Sequence, residues 1–220
     1  MIAALRRGWR PRGLYRLATD AGTVQYRVVR ADPGATTLVV GLHGYGSDER
    51  QISTLLGLEV GPVVYLAPRA PLADGDGFSW FGLEVDGRGR VVPGDVRPAL
   101  ERVRAFARAA SRAWSTSRTA LVGYSQGGAL AWAAVSDPGP FDVVAALSGV
   151  SDNSAASRTP VPLFVGHGTL DPAAPIEDVR RAVSALEGDV TLHESQAPHV
   201  VTQSQRDALS RWLRDRLPSS

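Results

Sequence analysis

The chain has 220 residues, 44% of them hydrophobic and 21% charged, with a net charge of +2; that length supports one substantial core and suggests a single domain over 1–220. There is no cysteine, which excludes disulfides, thiolate metal sites and a cysteine nucleophile. Every basic residue is arginine, so the high isoelectric point reflects missing lysine, and no nucleic-acid partner is expected.

Arg6, Arg7, Arg10 and Arg12 are the closest thing to a basic cluster, which reads as a solvated terminus. No apolar segment of signal-peptide length follows it, and no run approaches the ~20 residues of a membrane span. The expectation is a soluble cytoplasmic protein with no stable membrane association.

Leu14 to Thr19 and Thr23 to Arg30 read as short strands, with Asp20-Ala21-Gly22 between them suited to a hairpin turn. Thr36 to Leu42 is the first strongly apolar strand, and it runs into His43-Gly44-Tyr45-Gly46-Ser47-Asp48. Asp48 and Gln51 have the spacing of a capping box that opens a helix through Leu56. Pro62 to Ala67 is the next strand. From Pro68 to about Gly94 no regular period is visible, and a loop of that length tends to carry function. It holds Phe78, Trp80 and Phe81, the densest aromatic group in the chain. Those rings have two readings: anchors of the loop to the core, or lining for a substrate.

Asp95 can cap a helix in which Val96, Leu100, Val103, Ala107, Ala110 and Trp114 recur at helical spacing. Phe141 to Leu147 and Val161 to Val165 are apolar strands. Pro175 starts a helix carrying Ile176, Val179, Val183 and Leu186, and Val190 to His193 is the last strand. Thr202 and Gln205 form a second capping box before a helix that buries Leu209, Trp212, Leu213 and Leu217. An antiparallel start followed by alternating strands and helices implies an α/β protein. Its central sheet is mostly parallel, with helices on both faces and an antiparallel N-terminal hairpin.

Gly123-Tyr124-Ser125-Gln126-Gly127 stands between the apolar run Thr119 to Val122 and the buried helical run Gly128 to Val135. Strand, sharp turn and helix are the setting of a nucleophile elbow, whose strained turn lifts the serine hydroxyl out of the sheet. Sites in open parallel sheets form beyond the carboxyl ends of the strands. Ser125, His43-Gly44, Ser148-Gly149 and Asp171 should therefore cluster.

A serine hydroxyl needs a base within reach, and the base needs an acceptor that fixes its tautomer. Of the four histidines, His43 suits a role in shaping its Gly-rich turn, His167 in supporting a loop, and His193 at a strand surface. His199 lies in a loop between the last strand and the last helix. Asp171, held out of the helical region by Pro172, is a candidate acid, and Asp152 competes with it. The order Ser125, Asp171, His199 is that of α/β-hydrolases. An oxyanion hole can be built from the N–H of Gln126 and an N–H of the His43 to Gly46 turn, Tyr45 being the favoured donor.

These segments, with Ala67-Pro68-Arg69-Ala70-Pro71, Ser79-Trp80-Phe81, Gly127-Gly128-Ala129 and His167-Gly168-Thr169-Leu170-Asp171, resemble the phospholipase/carboxylesterase family of small α/β-hydrolases. That family includes the acyl-protein thioesterases. The resemblance runs from about residue 36 to the C-terminus and implies an α/β-hydrolase fold. It makes Ser125, Asp171 and His199 the triad and the N–H groups of Tyr45 and Gln126 the oxyanion hole. Ala197-Pro198 precedes His199 where relatives often carry glycine.

The resulting expectation is a serine carboxylesterase acting through an acyl-enzyme on small-molecule esters, as a monomer or homodimer, with no cofactor and no metal. Acyl-protein thioesterase or lysophospholipase activity is the near alternative, and a catalytically silent ligand- or protein-binding member the distant one. About a dozen residues separate Gly149 from Val161, too few for a cap domain. An open groove with Phe78, Trp80 and Phe81 in one wall is therefore expected, favouring short to medium acyl chains.

Overall fold

The N-terminal pair closes on a tight turn. In the computed structural model, which describes residues 13–85, 87, 91–149 and 158–217, β1 (Tyr15–Thr19) and β2 (Gly22–Ala31) run antiparallel with Tyr15 opposite Tyr26. Gly22 takes the positive φ of 94° that the turn demands. The cluster Arg6, Arg7, Arg10 and Arg12, and the competing acid Asp152, lie outside the described residues.

β2 also pairs antiparallel with β4 (Val63–Pro68), and from there the sheet is parallel. β3 (Thr37–Leu42) lies between β4 and β9 (Arg118–Tyr124). β10 (Val143–Leu147), β11 (Leu163–Gly168) and β12 (Val190–Ser195) follow in order. The eight-stranded order is β1-β2-β4-β3-β9-β10-β11-β12. β3, β4, β10 and β11 are buried along their whole length, which is why they read as continuous apolar runs rather than alternating ones.

Helices cover both faces. α1 (Glu49–Leu56) and α5 (Gln203–Arg216) lie on one face, where Ile52, Leu56, Leu209, Trp212 and Leu213 pack with Phe164 and Tyr65. α2 (Arg97–Trp114), α3 (Gln126–Ala133) and α4 (Ile176–Ser184) lie on the other, around Phe106, Trp132, Leu130 and Val179. No described helix is long and apolar enough to cross a membrane.

Local chemistry sets the helix starts, with two departures from expectation. The Thr202 hydroxyl accepts from the Gln205 N–H while the Gln205 amide accepts from the Thr202 N–H, a complete capping box. Asp48 caps α1, but it accepts from Arg50 N, and Gln51 turns away to take the Gly44 N–H at 2.7 Å. α2 starts after Val96, and the Asp95 carboxylate accepts from the N–H and guanidinium of Arg97.

The stretch after β4 is more ordered than its sequence suggests. β5 (Leu72–Asp74) pairs with β6 (Gly77–Ser79), and β7 (Leu83–Val85) with β8 (Val91–Pro93). Three-residue strands are too short to show a period.

Candidate active site

Ser125 sits between β9 and α3 with φ 55° and ψ −115°, a conformation costly for a residue with a Cβ. The surroundings enforce it. A Cβ on Gly123 would lie 1.9 Å from the Gly127 carbonyl oxygen, and one on Gly127 would lie 2.5 Å from that of Leu42. The Ser125 N–H donates to Leu147 O at 2.9 Å and its carbonyl accepts from Ala129 N at 2.8 Å. The backbone is thus held by both the neighbouring strand and the new helix, and the side chain is left half-buried at the sheet's carboxyl edge.

His199 reaches that edge from the loop between β12 and α5. Its Nε2 lies 2.9 Å from Ser125 Oγ, and its Nδ1 lies 2.7 Å from Asp171 Oδ2. The carboxylate can only accept, so Nδ1 carries the proton and the Nε2 lone pair faces the hydroxyl. The other Asp171 oxygen accepts from the N–H groups of Ala173 and Ala174 at 2.9 and 3.4 Å. The Asp171 and His199 loops are joined directly: Leu170 N donates to Ala197 O at 3.0 Å, and a Cβ on Gly168 would lie 2.3 Å from that oxygen. Ala197-Pro198 is therefore built into the contact that sets the spacing between Asp171 and His199.

The other histidines are engaged elsewhere. His167 is fully buried, and its Nε2–H donates to Ala174 O at 2.9 Å with Asp171 Oδ2 at 3.5 Å, which steadies the Asp171 loop. His193 pairs with Ser204 Oγ at 2.9 Å and stacks near Phe164. His43 Nδ1–H donates to Gly44 O at 2.9 Å and its Nε2 accepts from Ala70 N at 3.2 Å. Burial pushes the His43 pKa down, against the opposing pull of the Gly44 carbonyl and of Glu49 and Asp48. It is a neutral strut inside the turn.

That turn faces Ser125: a Cβ on Gly44 would sit 3.2 Å from the Ser125 Cβ. Its N–H groups divide by task. Gly44 N is taken by Gln51, and Gly46 N donates to Ser79 Oγ at 3.1 Å. Neither the Tyr45 N–H nor the Gln126 N–H meets an acceptor among the described residues. Gln126 opens α3, so its N–H is one of the free donors of a helix start. Ser79 Oγ in turn donates to Asp74 at 2.8 Å, and the Tyr45 hydroxyl donates to the same carboxyl. The Tyr45 and Ser79 hydroxyls hold the half-buried Asp74 carboxyl below the usual carboxylate range.

The aromatic group divides between the two readings given for it. Trp80 and Phe81 are 2% and 3% exposed and belong to the core. Trp80 Nε1–H donates to His43 O at 2.9 Å, Trp80 N donates to Gln126 Oε1 at 2.8 Å, and Gln126 Nε2 donates to Phe81 O at 2.8 Å. These two residues anchor the loop to the carboxyl edge of the sheet. The assignment of Trp80 and Phe81 to a groove wall is corrected, because a ring closed to solvent offers no face to an acyl chain. Phe78 is half-buried under the Arg69 guanidinium, 4.4 Å from its centroid. The exposed apolar side chains around the edge are instead Tyr45, Leu170 and Val200, at 50%, 60% and 46% exposure.

Sequence reasoning missed three supports: the Gln51 amide, the Gln126 side chain and the Tyr124 hydroxyl. Tyr124 O–H donates to His199 O at 2.9 Å. Gln51 carried a signal for capping that fitted a second use equally well.

The model of the phospholipase/carboxylesterase family matches residues 24–211. Among solved structures, an esterase designated PE8 is 26% identical, with a TM-score of 0.69 over 93% of this chain and 99% of its own. A carboxylesterase from Mesorhizobium loti is 18% identical with a TM-score of 0.71, covering 92% and 99% of the two chains. Acyl-protein thioesterase 2 of Zea mays is 20% identical with a TM-score of 0.67, covering 87% and 98%. No curated protein matches the sequence.

Proposed function

We propose, on the premise that the chain belongs to the phospholipase/carboxylesterase family, that it hydrolyses carboxylic esters of short to medium acyl chain through an acyl-enzyme on Ser125. The observation that carries this reading is the hydrogen-bonded line Ser125 Oγ, His199 Nε2, His199 Nδ1, Asp171 Oδ2 on a strained strand-to-helix turn. As Ser125 Oγ attacks the carbonyl carbon, its proton moves to His199 Nε2 and the carbonyl oxygen becomes an oxyanion. The free N–H groups of Tyr45 and Gln126 are the donors assigned to that charge, where fixed dipoles act without reorganising. Asp171 holds the tautomer and stabilises the imidazolium. Collapse breaks the bond to the alkoxy oxygen, which leaves with the proton from His199. Water then attacks the acyl-enzyme by the same route, and the acid and the free serine are released.

The test is hydrolysis of p-nitrophenyl esters of increasing chain length, with an acyl thioester alongside, by wild type and Ser125→Ala. A serine-directed fluorophosphonate should label wild type at Ser125 and leave the variant unlabelled. A folded wild-type protein that neither turns over any ester nor reacts with the phosphonate would end the reading and favour a silent binding member. Faster turnover of the thioester would move the assignment to a thioesterase using the same residues.

A further inference from the structure

His199 comes from a loop without regular structure, yet its ring must hold two contacts at 2.9 and 2.7 Å on opposite sides. The question is what fixes its backbone. Within the loop, Val200 N donates to Pro198 O at 2.7 Å, a one-residue turn with His199 at its apex. Such a turn bends the chain but does not locate it against the sheet. The His199 carbonyl projects from the apex and accepts the Tyr124 hydroxyl at 2.9 Å. Tyr124 is the last residue of β9 and the one before Ser125, it is 7% exposed, and its ring packs 5.5 Å from the His199 ring. The strand that presents the nucleophile thus also grips the peptide that carries the base.

We propose that Tyr124 is a positioning residue whose hydroxyl, bonded to the His199 backbone carbonyl, fixes the distance between the base and Ser125. The inference rests on the serine-hydrolase reading above. Tyr124 touches neither substrate nor the reacting atoms in that reading. Its ring fills the core beside Leu147 and Val201, while its oxygen sets register between two segments 75 residues apart in sequence. Removing only the oxygen separates the two roles. In Tyr124→Phe the ring and its packing stay, the His199 carbonyl loses its partner, and the apex of the loop is left to the Leu170 N–Ala197 O contact beside it.

The experiment compares full-length wild type, Tyr124→Phe and Ser125→Ala with p-nitrophenyl butyrate as substrate. Turnover of wild type and Tyr124→Phe is expressed per site titrated with a fluorophosphonate, so that any loss of folded protein cancels, and that of Ser125→Ala per mole of folded protein. The expected result for Tyr124→Phe is kcat lower by about 10- to 100-fold, since misplacement by about an ångström costs on that order. KM should stay within about twofold, because no acyl contact is removed. The phosphonate reaction should slow by the same factor as kcat/KM, and the downfield proton signal of His199 Nδ1–H should broaden or shift. Per-site kcat within about twofold of wild type, with Ser125→Ala inactive, would overturn the role of Tyr124 and leave the serine mechanism standing. Full activity of Ser125→Ala would instead remove the premise. A loss confined to KM, with the His199 proton signal unmoved, would show that Tyr124 acts on substrate binding and would also overturn the inference.

Discussion

A serine hydroxyl has little nucleophilic strength of its own, and in the proposed mechanism the groups that activate Ser125 come from separate loops. Ser125→Ala should therefore remove turnover almost wholly, by about 10⁶-fold on the precedent of a serine-protease triad. His199→Ala should be nearly as severe, because the two act as a unit. Asp171→Asn keeps the volume but favours the wrong tautomer, and a loss of about 10⁴-fold is expected. Steady-state kinetics with circular dichroism as a folding control checks all three. His193→Ala is the counter-case. Its ring is bonded to Ser204, away from Ser125, so turnover should stay near wild type, and a severe loss there would mean that the base is misassigned. At this scale the sequence was most legible where chemistry restricts the choice: His43 is bound into a Gly-rich turn, whereas His199 lies in a freer loop, and the fold brings it within 2.9 Å of Ser125 Oγ. It was least legible where one side chain has two possible uses. Gln51 reads equally well as a capping residue or as an acceptor for Gly44, and only the fold brings Gly44 within 2.7 Å of it.

The elements around the site matter through the loops they stiffen. The turn after β3 is held by His43, which must stay neutral to accept from Ala70 N and donate to Gly44 O. Its folded pKa is lowered, chiefly by burial, from an ordinary value of 6.5. The unfolded chain therefore takes up the proton first as pH falls. The stability His43 contributes is full above its unfolded value and is lost progressively below it. The thermal midpoint of wild type should fall between pH 7 and pH 5, and His43→Gln should show a shallower fall over that window. His193 is lowered by burial and by Arg211 and keeps part of the slope in the variant. Equal slopes for wild type and variant in a melting series would show that His43 does not titrate with unfolding. The stretch after β4 illustrates why such loops are opaque from sequence. β5 to β8 are three residues each, and their order depends on ties such as Phe78 N to Ser47 O and Trp80 N to Gln126 Oε1. Those ties are non-local and leave no period behind.

Over the whole molecule, the mostly parallel sheet with an antiparallel start and helices on both faces followed from apolar runs alternating with helical spacings, but which side chains stay exposed did not. The sequence marks Phe78, Trp80 and Phe81 as aromatic without showing which way the rings face. In the folded chain Trp80 and Phe81 fill the core behind the turn after β3, whereas Tyr45, Leu170 and Val200 stand exposed. Leu170 precedes Asp171 and Val200 follows His199, so both flank the proposed triad without entering its hydrogen bonds. An acyl chain lying on such a rim gains about 0.8 kcal/mol for each methylene it buries, about fourfold in kcat/KM, until the rim ends. Short to medium esters should therefore show a rising series that soon levels off. Leu170→Ser together with Val200→Ser should flatten the rise, leaving the acetate ester little changed and lowering the longer esters most. Trp80→Ala should act differently: it opens a core cavity, costs about 3–5 kcal/mol of stability, and lowers every ester in parallel by removing the indole Nε1–H bond to His43 O that braces the turn facing Ser125. The measurement is kcat/KM against chain length per phosphonate-titrated site for wild type and the two variants. If the rim variant shifts all lengths equally while Trp80→Ala removes only the chain-length dependence, the acyl chain enters toward Trp80 and the rim plays no part in selecting it.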